Sequence, residues 1–293
     1  MSTSATAQEI EYSSMARKRR INLIIQYVLM VLLAAFFLFP LVFMFVAALK
    51  QDSKVLSDSD TIKAFIPDPF VGMDNFSSAA DRASLWRVFL NSTIISGCIV
   101  GFGLLINSLF GYALARLRFK GRNVLIAVII ALIIIPFEAL AVPLLYIMAE
   151  LGWLDTYRVQ ILPFIASPLY IYLFYTFFLN VPVSLEEAAR VDGAGPVRTF
   201  ASVVAPLAKP AYATMAILGF LFSWGQYLWP LMVTRGVDVR PLPVGIGVFQ
   251  NTPPIQWGDI MAYAALMTLP LMIIFLIFQR HFVQGVASSG VKG

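Results

Sequence analysis

Residues 181–211 read VPVSLEEAARVDGAGPVRTFASVVAPLAKPA. Long apolar runs flank this polar stretch, at 159–179 before it and 211–233 after it. Its pattern predicts two short helices. Ser184 and Glu187 have the spacing of a capping box, in which hydroxyl and carboxylate each satisfy an orphan helix amide. Leu185, Ala188 and Ala189 then form a small apolar face at i, i+3 and i+4. Gly193 suits the left-handed residue that stops the first helix, and Pro196 suits the first position of the second. The second helix carries Phe200, Val203 and Val204 and is expected to end at or before Pro206, leaving Pro210 to open the next apolar run. An alanine-lined face of this kind either seats a partner that must come close or packs on the chain's own bundle.

Working outward, the whole chain is apolar. Hydrophobic residues make up 59% of its 293 residues and charged residues 13%, with a mean hydropathy of +0.81. Soluble domains carry roughly a quarter charged residues, and a chain so poor in charge would expose large apolar patches in water. The bilayer is the consistent solvent. A crossing helix needs about 20 apolar residues, and six runs qualify: 21–49, 88–115, 124–149, 159–179, 211–233 and 260–278. None shows the period-2 alternation of a half-buried strand, so the expected class is all-α and polytopic. The first run is too long for the apolar core of a cleavable signal.

Lys and Arg near span ends set orientation. Arg17, Lys18, Arg19 and Arg20 precede the first span, and Arg116, Arg118, Lys120 and Arg122 join the second to the third without an acid. Both segments are therefore expected in the cytoplasm. The connection at 50–87 mixes five basic residues with six Asp and is expected outside. Six spans then place both termini in the cytoplasm. The expected organisation is an N-terminal segment 1–20, a first span and extracytoplasmic loop 21–87, a core 88–280 containing the loop 181–210, and a tail 281–293.

Pro40, Pro136, Pro143, Pro163, Pro168, Pro230 and Pro270 fall within or beside the runs, where membrane helices tolerate them because neighbours satisfy the freed backbone groups. Gly97 and Gly101, extended by Gly103, form a small-xxx-small pattern that permits close helix approach. Glu138 is the one acid inside a run. An intramembrane carboxylate points to a functional site by default; the alternative is an outer vestibule or a basic neighbour. Trp224, Gln226, Tyr227 and Trp229 join aromatic faces to an amide, a chemistry suited to sugar rings, though Trp and Tyr also populate membrane interfaces. Asn107 either lines a path or bonds a neighbouring helix. Cys98 alone cannot form an internal disulfide, and a single His281 supports no HExxH-type centre.

The run Glu187-Ala188-Ala189-Arg190-Val191-Asp192-Gly193-Ala194, with Ser184-Leu185 before it and Pro206-Leu207 beyond, resembles the EAA motif of ABC importer permeases. The likeness extends over most of the chain. Pro136-Phe137-Glu138 through Val142-Pro143-Leu144, and Leu151-Gly152-Trp153-Leu154-Asp155-Thr156-Tyr157, are similar to the third-span region of the carbohydrate-type permeases. Ser223-Trp224-Gly225-Gln226-Tyr227-Leu228-Trp229-Pro230-Leu231 is similar to their fifth-span signature, with Gly225 where Asn is usual. The ending Gly290-Val291-Lys292-Gly293 resembles that of the maltose-permease G-subunit class. The Gln-Tyr-Leu-Trp-Pro run also resembles glycerol 3-phosphate permeases.

The resemblance implies a type I ABC importer permease fold and a division of labour: a second homologous permease, a dimer of ATPase subunits and an extracytoplasmic solute-binding protein, all working in membrane lipid with no role for nucleic acid. ATP and magnesium would be handled by the ATPases, and no cofactor by this chain, which also lacks a GxxxxGK[ST] phosphate loop. It further implies that Glu186, Glu187, Ala188, Ala189, Asp192, Gly193 and Ala194 couple to the ATPase, and that Gly290, Lys292 and Gly293 lie at the ATPase interface. Glu138, Asn107, Trp224, Gln226 and Tyr227 are the candidate pathway residues. The competing class, a secondary transporter working alone, predicts ion-binding acids in several spans.

Overall fold

The computed structural model describes the backbone of residues 2–251 and 253–290, and side-chain surroundings within 17–251 and 253–278. The described residues form helices joined by turns and loops, and among them the one β feature is an isolated bridge between Lys50 and Phe70. The principal helices are α1 (Ser2–Ala48), α2 (Leu85–Arg116), α3 (Arg122–Ile134), α4 (Phe137–Glu150), α5 (Pro168–Leu179), α6 (Val183–Val191), α7 (Lys209–Trp224), α8 (Leu228–Val233) and α9 (Trp257–Gly290). Four segments are long and apolar enough to cross a bilayer unaided: Arg17–Ala48, Leu85–Arg116, Tyr157–Leu179 and Trp257–Phe278. Counting each of two bent pairs, Arg122–Ile134 with Phe137–Glu150 and Pro196–Leu207 with Lys209–Trp224, as one span gives up to six.

Three of the expected runs are broken. The third run is two helices, α3 and α4, meeting at 102°. Pro136 causes this: its ring disfavours the α region for the preceding residue, and Ile135 is extended at φ −76° and ψ 117°. In the fourth run, Tyr157–Ile161 and a short 3-10 turn precede a break at 165–167, with Ser167 extended before Pro168 opens α5. The fifth run is α7, Lys209–Trp224, followed by a break and α8. At 16 residues α7 is about 24 Å long, short of the roughly 30 Å hydrocarbon core.

The chain packs as two units. One combines the chain up to Ser77 with Gln256–Ala265; the other combines Ser78–Ile255 with the chain from Leu266 on. In the first, α1 leads into a compact loop organised by a buried lysine. Lys50 Nζ donates to Asp58 Oδ2 at 2.9 Å and to the Lys63 carbonyl at 2.7 Å. Asn75 Nδ2 donates to the carbonyls of Ala48 and Lys50, and Asp52 Oδ1 accepts from the Gly258 amide at the start of α9.

The Lys50 ammonium holds the Asp58 carboxyl below its usual value of 3.8. A carboxyl acidified by folding contributes stability that is present above its unfolded pKa and is lost as pH falls through the folded one. The loop is therefore expected to keep its order at neutral pH and to loosen as pH drops below about 4. Hydrogen exchange across residues 52–65 should show this. Asp58→Asn should remove the pH dependence.

The second unit is built around α2. Its inner face presents Ile95, Ile99, Gly103, Asn107, Gly111 and Tyr112, all buried, and α5 and α7 pack along the helix. The glycine that makes close approach to α5 possible is Gly111: a Cβ there would lie 2.7 Å from Phe174 Cβ and 2.9 Å from the Tyr175 amide nitrogen. Gly97 and Gly101 face open space instead, so the small-xxx-small pair does not mark an approach within this chain. Tyr112, Phe174, Phe178, Phe200 and Val204 form the core at one end of the unit. Val159, Trp229 and Val233 form a core elsewhere, with Phe137 and Phe164 against them.

Candidate functional site

Residues 180–182 alone separate α5 from α6. Pro182, fixed near φ −59°, stands as the N-cap of α6, and no side chain caps that end. Ser184 thus falls inside the first turn, and the expected capping box with Glu187 does not form. The proline starts the helix earlier than the serine would. The other end behaves as expected: Gly193 is left-handed at φ +80°, and the Ala194 amide donates to the Ala189 carbonyl at 2.9 Å while the Gly193 amide donates to that of Arg190. This is a Schellman-type closure. Gly195 caps Pro196–Thr199, which continues as a π turn at Phe200–Val204 and a further turn to Leu207. Pro206 therefore lies within the helical stretch, and the 79° bend comes just after it, before α7.

The two glutamates at the middle of α6 have different surroundings. Glu186 is 1% exposed; its Oε1 pairs with Arg116 Nε at 2.6 Å, and its Oε2 accepts from the Tyr112 hydroxyl at 3.3 Å. Arg116 also donates to the Val181 carbonyl. Glu187 is exposed. The resemblance places Glu186 among the coupling residues, but its carboxylate points into the chain's own bundle. Leu185 and Ala188 are exposed and Ala189 is half-buried, so the small apolar face is not covered by the chain's own helices. Asp192 and Gly193 are exposed beside it and Ala194 is half-buried. Val191 and Val197 are 88% and 77% exposed. Phe200 and Val204 are buried and Val203 half-buried, so the following turns anchor the loop on the bundle.

The candidate pathway residues separate in the same way. Asn107 is 1% exposed. Its Nδ2 donates to the carbonyls of Gly103 and Ile165, and its Oδ1 accepts from the Ser167 amide at 2.8 Å. It supplies the bonds that the break before α5 leaves open, the role expected of a neighbouring polar side chain in a membrane bundle. Asn107→Leu would leave an amide and a carbonyl unpaired and is expected to cost about 3 kcal/mol, read as easier denaturant unfolding by tryptophan fluorescence. Trp224 is buried, with Nε1 donating to the Met267 carbonyl and its ring stacked on Phe220. Trp229 is fully buried and donates to the Val159 carbonyl, which replaces an interfacial position with a core one. Asn107 and Trp224 are thus both hydrogen-bonded within the bundle.

Glu138 and Tyr227 are exposed, and Gln226 is half-buried with Nε2 unpartnered. They belong to breaks in the third and fifth spans: Glu138 lies in the first turn of α4, and Gln226 and Tyr227 link α7 to α8. An apolar cleft of about 500 Å³ adjoins the breaks in the third and fourth spans, lined in part by Ile135, Phe137, Phe164, Ser167 and Phe222, and Glu138, Gln226 and Tyr227 are not among its lining residues. The tail residues Lys292 and Gly293 lie outside the described residues, and Gly290 is the last described position of α9.

The helical loop on a bent-span bundle is matched by the family described as the binding-protein-dependent transport system inner membrane component, over residues 107–288. The chain belongs to that family. The permease is 37% identical over 281 residues to the arabinooligosaccharides transport system permease protein AraQ of Halalkalibacterium halodurans, covering 94% of this chain and 100% of the relative. It is 32% identical to the sn-glycerol-3-phosphate transport system permease protein UgpE of Shigella flexneri, covering 91% and 96%. It is 31% identical to the trehalose/maltose transport system permease protein MalG of Thermococcus litoralis, covering 94% and 98%. A chain from the crystal structure of a bacterial ABC transporter involved in the import of the acidic polysaccharide alginate superposes with a TM-score of 0.78 at 23% identity, covering 91% of this chain and 98% of that one. At that identity the likeness is one of fold. The permease is a multi-pass membrane subunit of an ABC importer, all-α, with the type I importer fold.

Proposed function

We propose that this permease forms half of the translocation pathway for a neutral sugar or oligosaccharide, with α6 as the element that seats on an ATPase subunit. One observation supports the docking most directly. α6 turns Glu186 into the bundle while Leu185, Glu187 and Ala188 remain exposed on its outer side. The second permease, the ATPase dimer that hydrolyses ATP and the extracytoplasmic binding protein complete the assembly. Both termini lie in the cytoplasm, following the basic clusters at 17–20 and 116–122. The tail through Gly290, Lys292 and Gly293 reaches the ATPase interface. Closure of the ATPases moves α6, and the attached spans reorient as a rigid-body switch.

The glycerol 3-phosphate reading has its own support in the Gln226-Tyr227-Leu228-Trp229-Pro230 run and the UgpE relative. Charge favours the sugar. The acid within the apolar spans is Glu138, with no basic residue near it in sequence between Arg122 and Arg158. A carboxylate on the path repels a phosphate and accepts hydrogen bonds from hydroxyls.

The test is purification from cells expressing the full operon, wild type against Glu187→Ala/Gly193→Pro, followed by reconstitution with the binding protein. Wild type is expected to bring down the second permease and the ATPase and to take up arabinotriose in an ATP-dependent manner; the double variant is expected to lose the ATPase. Uptake of glycerol 3-phosphate and not arabinotriose would overturn the solute assignment. Wild-type uptake without ATP would overturn the importer mechanism.

A further inference from the structure

Glu186 is a buried carboxylate that the docking face does not use, and its surroundings assign it a role in transmission. Its neighbours are Arg116 at the last turn of α2 and Tyr112 one turn before it. Arg190, one turn further along α6, is exposed. Arg116 grips two places at once: the Glu186 carboxylate on α6 and the Val181 carbonyl in the link from α5. The Tyr112 ring lies 5.0 Å from Phe200 and 6.0 Å from Phe178, centroid to centroid. The end of α2 thus holds the end of α5, the docking helix and the turn that follows it.

A charge buried in a bundle is costly when left alone and is retained where its partner is fixed. A purely apolar contact between α2 and α6 would permit sliding, whereas a guanidinium ion-paired to the Glu186 carboxylate and hydrogen-bonded to the Val181 carbonyl ties both segments to one side chain. We propose that Arg116 and Glu186 are the joint through which displacement of α6 is passed to α2, with Tyr112 as its brace. They are positioning residues: they touch neither ATP nor solute. The proposal rests on the docking of α6 given above. It predicts that a permease lacking the joint binds and fires its ATPase while α2 no longer follows.

The test uses the assembled importer in lipid nanodiscs. A nitroxide is placed at exposed Thr93 on α2 (Thr93→Cys, with Cys98→Ser), and its spectrum is recorded without nucleotide and with vanadate-trapped ADP. Arg116→Met/Glu186→Met removes both charges together, so that neither is left buried and unpaired. The double variant is expected to keep wild-type ATP hydrolysis while the nucleotide-dependent spectral change becomes about tenfold smaller, within the usual range of a coupling between sites. A full spectral response in the double variant overturns the joint and leaves the docking of α6 standing. Absence of any nucleotide response in the wild type removes the docking reading, and the joint with it. If the double variant does not assemble, Arg116→Lys is read in its place. It keeps the charge but gives up the fork between Glu186 and Val181, so a diminished response with unchanged hydrolysis supports the joint and an unchanged response overturns it.

Discussion

Ala188→Trp is expected to abolish ATP-driven uptake while leaving the permease folded and in the membrane. Ala188 is exposed at the centre of α6, with Leu185 on one side and half-buried Ala189 on the other. An indole there meets nothing in the chain's own bundle, so the permease should accumulate normally. On the docking proposed above, the partner's groove must admit a backbone lined with small side chains. Filling the middle of an interface costs on the order of 3 kcal/mol, roughly a hundredfold in affinity. The measurement is retention of the ATPase on the tagged permease through a detergent wash, together with uptake into proteoliposomes. Normal ATPase retention would mean that the docking face lies elsewhere on the loop. Ala189→Trp should be a harsher variant, because Ala189 is already partly covered by the chain itself.

Gly111→Val is expected to prevent stable folding of the core. The added Cβ would sit 2.7 Å from Phe174 Cβ, 2.9 Å from the Tyr175 nitrogen and 3.0 Å from the Ile171 carbonyl oxygen. Two of those atoms are backbone, so no side-chain rotation relieves the clash and α5 must move away from α2. Overpacking of this kind costs about 3 kcal/mol, and the displaced helix carries α6 with it. Protease resistance of the membrane-embedded permease and its unfolding midpoint should fall together. Gly97→Val is the matched control: a Cβ at Gly97 has nothing within 4 Å in this chain, so monomer stability should be unchanged.

Those two glycines illustrate what the sequence could and could not disclose. Gly97 and Gly101 have the spacing that lets helices approach, yet the close approach occurs at Gly111, which has buried Ala115 at the same spacing. Spacing identifies a face that could be approached and does not say which neighbour arrives there. Span positions were readable because apolar length is a local property. The bends were half readable: Pro136 and Pro168 were visible, but their angles depend on which neighbour satisfies the opened backbone. For the fourth span that neighbour is Asn107, whose role follows from two partners about 60 residues away in sequence.

The loop at 181–211 was the most legible part of the chain. Gly193 and Pro196 act as their types predict, because a left-handed stop and an N1 proline are decided within a few residues. The difference between Glu186 and Glu187 was not legible. Adjacent helix positions point about 100° apart, and a local pattern does not tell which of them meets the bundle. A cation at the end of span two, Arg116 in a connection without acids, was the available hint of a distant carboxylate.

Asn107 also bears on how the chain enters the bilayer as it is made. Of its three hydrogen bonds, the one to Gly103 lies within its own helix and is available at once. The other two await Ile165 and Ser167, the first of them 58 residues downstream. At translation speeds of about 5–20 residues per second, that wait lasts roughly 3–12 seconds. An unfinished α2 therefore carries a half-satisfied amide into apolar surroundings, where unpaired polar groups are costly. Release of α2 into lipid is best delayed until the fourth span emerges, which makes biogenesis of these two helices a paired event.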